Sequence, residues 1–144
     1  MLVNSAAPKG INPIRNWTQA LCILTSLYQL LTGKILPSKA YFKKLIYNAH
    51  EELGIKYDLE SLIPEPARVF LDVAHWGVPV TPKPNVRVIG ADKDMITPFV
   101  VQEEIACFHN APEPKVCIGH DHASVCKDSR TVKMIIDSAL ELVK

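Results

Sequence analysis

The stretch from Val86 to Ser129 constrains this chain more than any other. Val86-Arg87-Val88-Ile89 is a short β-branched run closed by Gly90, and Lys115-Val116-Cys117-Ile118 is a second run closed by Gly119, so each is expected to be a strand. Between them lies a helical pattern from Phe99 to Asn110. Thr97 is placed to cap its first amides, Pro98 suits the first helical position, and Val101, Ile105 and Phe108 fall on one apolar stripe. A strand, a crossover helix and a parallel strand make a βαβ unit, and ligands of such sheets gather beyond the carboxyl ends of the strands. Asp92, Asp94, His120 and His122 all lie just past those ends. Carboxylates and imidazoles are therefore expected to meet at one sheet edge.

A buried aspartate that accepts a hydrogen bond from one ring nitrogen of a histidine fixes the tautomer and stabilises the imidazolium. The other nitrogen is then left to take a proton from a nucleophile. Either aspartate and either histidine satisfies this reading by position alone. His122 has the longer loop after Ile118 in which to swing back over the sheet edge.

These residues resemble a known family. Gly90-Ala-Asp-Lys-Asp94-Met-Ile-Thr-Pro98 is similar to the acid loop of α/β-hydrolases, where a strand ends in Gly, an Asp follows, and an apolar pair leads into Pro. The segment Gly119-His-Asp-His-Ala-Ser-Val-Cys-Lys-Asp128 resembles the histidine loop of the same family, nearest in flavour to plant-type methylesterases and hydroxynitrile lyases. The likeness runs from about Val86 to the end of the chain and covers the earlier part in outline only. It implies Asp94 as the acid and His122 as the base of a catalytic triad, with Asp92 and His120 as second choices, because some relatives place the base directly after Gly.

The same resemblance implies an α/β fold of a particular kind: the C-terminal half of an α/β-hydrolase three-layer sandwich, with about three parallel strands and a helical cap. Residues 1–11 would be a strand and loop of the sheet, 12–78 the cap or lid, and 79–144 the C-terminal part of the core. The segment Leu2-Val-Asn-Ser-Ala-Ala-Pro-Lys-Gly10 is similar to the strand that follows the nucleophile-bearing helix in relatives and leads into the cap. A triad enzyme also needs a nucleophile on a strained elbow, usually within Gly-x-Ser-x-Gly, and no such pentapeptide occurs here. Ser5 follows a possible strand but lacks both glycines.

Composition narrows the alternatives. The 144 residues suit one domain, with 48% hydrophobic residues and a formal charge of +1, which is globular and carries no electrostatic footprint for nucleic acid. The start has no charged region followed by an apolar core, and the apolar tract Ala20 to Leu31 is interrupted by Thr25, Ser26 and Gln29. Neither a signal peptide nor a membrane span is expected, which favours a soluble cytoplasmic protein. The four cysteines, Cys22, Cys107, Cys117 and Cys126, lack paired spacing and are expected to be buried thiols. A zinc reading of Cys117, His120, His122 and Cys126 is set aside, because Cys117 should point with the pleat of a strand and the aspartate neighbours favour proton chemistry. No metal or cofactor is expected.

In the lid that the resemblance implies, Asn16 is expected to cap a helix from Trp17 to Thr32 closed by Gly33. Ser38 would open a second helix to Leu53 closed by Gly54, and Asp58 to Ile63 is one more possible turn. Pro64-Glu-Pro66 would begin a third helix through Trp76. Their aromatic and leucine stripes are most simply core packing. His50, at the end of a polar helix face, is expected to be solvated, and the resemblance implies that His75 and Trp76, near the linker, lie close to the catalytic edge. Pro79, Pro82 and Pro84 keep the following linker extended. From Asp128 or Ser129 to Leu142, Val132, Ile135, Ile136, Ala139, Leu140 and Val143 recur at helical steps and should pack one face on the sheet.

Two functions of different class follow. One is a serine hydrolase of an ester or similar acyl substrate, in which this chain supplies Asp94, His122 and the lid, and a small-molecule ester is bound only when an N-terminal half completes the site. The other is a non-catalytic interaction module, in which the sheet edge and an apolar cap helix bind a partner or a second copy of the chain, with Leu2 to Asn4 as the exposed edge. A third reading, Asp92-Lys-Asp94 as a metal-binding pair of a nucleotide-sugar transferase, rests on three residues and no further nucleotide signature.

Overall fold

The computed structural model describes residues 1–26, 29, 34–35, 38–56, 59–60, 65–66 and 77–143. Its centre is a three-stranded parallel sheet in the order β1-β4-β5, formed by β1 (Leu2–Val3), β4 (Val88–Ala91) and β5 (Lys115–Cys117). Register pairs Leu2 with Val88 and Val3 with Ile89 on one side, and Ile89 with Lys115 and Ala91 with Cys117 on the other. A second, antiparallel pair joins β2 (Lys34–Ile35) to β3 (Glu65–Pro66). The helices are α1 (Trp17–Ser26), α2 (Lys39–Leu45), α3 (Phe99–Phe108) and α4 (Ser129–Glu141).

Every residue of β4 is buried, as a central parallel strand covered on both faces requires. Its side chains alternate between two cores. Val88 packs with Ala7, Val86, Val101, Ile105 and Ala106 on the α3 face, whereas Ile89 and Ala91 pack with Cys117, Val125, Met134 and Ile135 on the α4 face. The βαβ unit is therefore present, with helix, sheet and helix in three layers. The central strand runs on through Gly90 to Ala91 rather than stopping at Gly90. A Cβ at Gly90 would meet Phe99 Cδ2 and Gln102 Cγ at 2.8 Å, so glycine lets α3 lie close against the strand instead of ending it.

Helix starts follow local chemistry. Asn16 Oδ1 accepts the Gln19 amide at 2.8 Å, Ser38 caps α2 through the Tyr41 amide, and Asp128 caps α4 through the amides of Arg130 and Thr131, both at 3.0 Å. At α3 the expected cap is absent, because Pro98 occupies the N-cap with no side-chain bond and Thr97 is engaged elsewhere. Helix α2 ends at Leu45, short of the expected Leu53. The chain then folds into successive turns from Tyr47 to Gly54, in which the Leu53 amide donates to the Ala49 carbonyl at 3.1 Å and the Ile55 amide to the His50 carbonyl at 2.9 Å. Glu65–Pro66 pairs as a strand rather than opening a helix. The rest of the expected third helix, including His75 and Trp76, the turn at Asp58 to Ile63 and the C-terminal end of the first helix lie largely outside the described residues.

Helix α4 packs on the sheet through Thr131, Met134, Ile135 and Ser138, while Ile136 and Leu140 stay exposed. Its buried face is thus shifted from the expected stripe, because Thr131 Oγ1 donates to the Val125 carbonyl at 2.5 Å and Ser138 Oγ to the Met134 carbonyl at 2.7 Å, bonds that make these polar groups cheap to bury. None of the four cysteines forms a disulfide; Cys22 and Cys117 are buried, and Cys107 and Cys126 are exposed, against the expectation that all would be buried. Among the described residues no helix is long and apolar enough to cross a membrane.

Candidate active site

The carboxyl ends of β1, β4 and β5 lie side by side, and short bonds knit the loops that leave them. The Lys93 amide donates to the His120 carbonyl at 3.0 Å, and the Gly119 amide donates to Asp92 Oδ1 at 2.7 Å. Gly119 has φ +80°, a left-handed conformation open to glycine at little cost, and it turns the chain sharply out of β5 toward the acid loop.

Asp94 is 3% exposed. Its Oδ1 accepts the amides of Ile96 and Thr97, both at 2.8 Å. Its Oδ2 accepts the Thr97 hydroxyl at 2.9 Å and faces His122 Nδ1 at 2.8 Å. Thr97 therefore serves the aspartate and leaves α3 uncapped. A carboxylate with this many donors is held in one rotamer, and its negative charge is directed at the imidazole.

The His122 side chain is 31% exposed, and among the described residues none bonds its Nε2. With Nδ1–H donating to Asp94, Nε2 carries the lone pair and is the basic nitrogen on the solvent side. The two residues singled out in the sequence are thus in direct contact. Asp92 instead holds the Gly119 amide. His120 is 7% exposed, with Nδ1 at 3.3 Å from Ser124 Oγ of its own loop and Nε2 at 3.9 Å from Asp128 Oδ2 at the start of α4, so its ring is turned away from Asp94.

Three residues that the sequence did not mark as part of this edge build it. Asn4, at φ +42°, accepts the Ala91 amide at Oδ1 (3.1 Å) and donates from Nδ2 to the His122 carbonyl (3.0 Å), so one side chain joins β1, β4 and the histidine loop. An Asn directly after a strand was the available signal, since Asn tolerates left-handed backbone. Gln102, fully buried, donates from Nε2 to the Ser5 carbonyl at 3.1 Å and accepts the Ser5 amide at 3.3 Å, which fixes the chain after β1 to α3. His50 is wholly buried, contrary to the expectation that it is solvated, and its Nδ1 lies 2.8 Å from Asp121 Oδ2. Because α2 stops early, His50 sits in a turn folded inward and not on a helix face open to water.

Asp121 is also wholly buried and has further acceptor bonds from the amides of Ala49 (2.7 Å) and Ser124 (2.8 Å). Burial alone pushes its carboxyl up, but the bonds from His50, Ala49 and Ser124 outweigh burial and leave it below its ordinary value. Burial pushes the Cys117 thiol up to about 11, so it stays protonated at neutral pH and is a poor metal ligand. Among the described residues no three His, Cys, Asp or Glu side chains come together in a way that could hold a metal ion.

The start of the region preceding β4 also reaches this edge. Asn16 Nδ2 donates to the Met95 carbonyl at 3.1 Å and Gln19 Nε2 to the Ile96 carbonyl at 2.6 Å, so the start of α1 grips the acid loop. No family model, no curated protein and no solved structure matches the chain.

Proposed function

We propose that this chain supplies the acid and the base of a serine hydrolase of the α/β-hydrolase type, acting on an ester or similar acyl substrate, and that the nucleophile elbow lies in sequence outside it. The observation that carries the reading is the 2.8 Å contact between buried Asp94 and half-exposed His122. In that role His122 Nε2 takes the proton of an attacking serine, passes it to the leaving group, and repeats the cycle with water. Asp94 holds the tautomer and balances the imidazolium charge, while the developing oxyanion needs donors from elsewhere. The parallel sheet with helices on both faces would then be the C-terminal half of the hydrolase sandwich, with residues 12–78 as its lid. A cytoplasmic location belongs to the same proposal.

The test has two stages. The isolated chain is expected to show no turnover of nitrophenyl esters; hydrolysis abolished by His122→Ala but surviving removal of every serine would overturn the external nucleophile. The chain joined to the segment encoded upstream is expected to bring a Gly-x-Ser-x-Gly elbow and ester turnover that His122→Ala lowers by about 10³-fold or more. Turnover indifferent to His122→Ala would end the hydrolase reading.

A second reading, a non-catalytic interaction module, draws on the exposed Trp17 and Leu24 of α1 and on Ile118, Ile136 and Leu140 around β5 and α4. Self-association through an edge of the sheet is its simplest form. A monomer by sedimentation at high concentration would count against it.

A further inference from the structure

The turn formed by residues 48–52 is bonded to both loops of the candidate pair. Asn48 Nδ2 donates to the Lys93 carbonyl at 2.9 Å, and the Lys93 ammonium pairs with Glu52. On the other loop, Asp121 Oδ2 accepts the Ala49 amide at 2.7 Å and the Nδ1 proton of His50 at 2.8 Å. Lys93 precedes Asp94, and Asp121 precedes His122. The turn therefore holds the backbone immediately next to each member of the pair, and none of these bonds goes to the Asp94 carboxylate or the His122 ring.

Asp121 divides its acceptors. Oδ1 takes the amides of Ala123 (3.2 Å) and Ser124 (2.8 Å) from its own loop, and Oδ2 takes the two donors from the turn. A wholly buried carboxylate is tolerable only while its lone pairs are filled. Without the turn's two donors, Asp121 would be drawn toward water, and the segment from Asp121 to Ser124 would follow it. His122 lies inside that segment. Its ring stays against Asp94 while the loop backbone stays in place, and the Asp121 carboxylate holds that backbone together with the Asn4 bond to the His122 carbonyl.

Resting on the hydrolase reading above, we propose that His50, acting through Asp121, is a positioning residue for His122, and that docking of the 48–52 turn is what keeps the imidazole against Asp94. The region before β4 is then part of the acid–base machinery and not only a cover for substrate.

The experiment follows the Nδ1 proton of His122 by nuclear magnetic resonance in the histidine-labelled full chain, the low-field signal being identified by its disappearance in His122→Gln. Amide exchange is read in parallel. In His50→Leu the His122 proton is expected to vanish through solvent exchange. The amides of Ala123 and Ser124 should exchange at least about tenfold faster, the lower range for losing a hydrogen bond to a charged group, while those of Ile105 and Ala106 in α3 keep their rates. An unchanged His122 signal, or acceleration equal in α3 and in the loop, would overturn the proposal, the second result marking a purely structural residue. Should His50→Leu not fold, His50→Asn and His50→Gln carry the same comparison. The Asn amide occupies the place of Nδ1 and should keep the His122 signal, whereas the Gln amide does not and should lose it; identical behaviour of the two overturns the coupling. None of these readouts needs turnover. Coupling found in a completed protein that hydrolyses no ester would therefore strike down the hydrolase reading alone.

Discussion

Two aspartate–histidine pairs, Asp94 with His122 and Asp121 with His50, are alike up to the imidazole and differ beyond it. In each, one carboxylate oxygen accepts two amides of its own turn, those of Ile96 and Thr97 for Asp94 and those of Ala123 and Ser124 for Asp121. In each, the other oxygen lies 2.8 Å from a histidine Nδ1. The His122 side chain is 31% exposed, and that of His50 is 0% exposed. A carboxylate bonded to an imidazole is thus not in itself a sign of catalysis. Access to the second ring nitrogen separates a group that can exchange protons with a substrate from one that fastens two segments together.

The comparison yields stability differences, which urea denaturation would measure. Asp121→Leu strands the donors of Ala49, Ser124 and His50 in the interior and is expected to cost about 3–5 kcal/mol. His50→Leu, which removes one charge-assisted bond, should cost about 2–3 kcal/mol, while His122→Leu should stay within about 1 kcal/mol because its ring is partly in water. Equal losses for the two histidines would break the distinction.

Acid sharpens the same contrast. The folded Asp121 carboxyl lies below its ordinary value of 3.8, so its stabilising contribution is complete above the unfolded value and is lost as pH falls through the folded one. Unfolding free energy measured between about pH 5 and about pH 2 should therefore fall less steeply in Asp121→Asn than in the parent chain. An unaltered acid slope would mean that the carboxyl is not held down by its bonds.

Smaller effects test the supports of the exposed pair. Asn4→Ala loses the bonds to Ala91 and His122 and leaves a non-glycine residue at φ +42°; a cost of about 1–2 kcal/mol is expected, with amide exchange rising at His122 and not at His50. Asp92→Asn keeps an acceptor for the Gly119 amide at an exposed site and should change stability by less than about 0.5 kcal/mol. Under the hydrolase proposal, ester turnover by a completed chain should be correspondingly indifferent to it. If Asp92→Asn abolished ester turnover as Asp94→Asn is expected to, the assignment of the acid would be reversed.

Much of the edge was legible because its signals are local. The β-branched runs at Val88 and Val116, the apolar steps of α3 and the capping residues Asn16, Ser38 and Asp128 act within a few positions of themselves. Gly90 misled because glycine marks both a strand's end and a strand crowded by a helix, and only the neighbouring Phe99 and Gln102 tell the two apart. His50 misled for a related reason. Its polar neighbours suit a wet helix face, but the turn after Leu45 tucks it inward to a partner 71 residues away.

By itself the sequence determined where the four described helices begin, that strands lie close to Val88 and Val116, and which aspartates and histidines follow the strand ends, since propensity, capping and periodicity depend on residues close along the chain. Only the tertiary structure decided which aspartate meets which histidine, which imidazole keeps a nitrogen toward water, and that a turn from the region before β4 anchors both loops. Those outcomes depend on burial and on hydrogen bonds between distant segments, and a buried carboxylate accepts whichever donors the packed chain delivers to it.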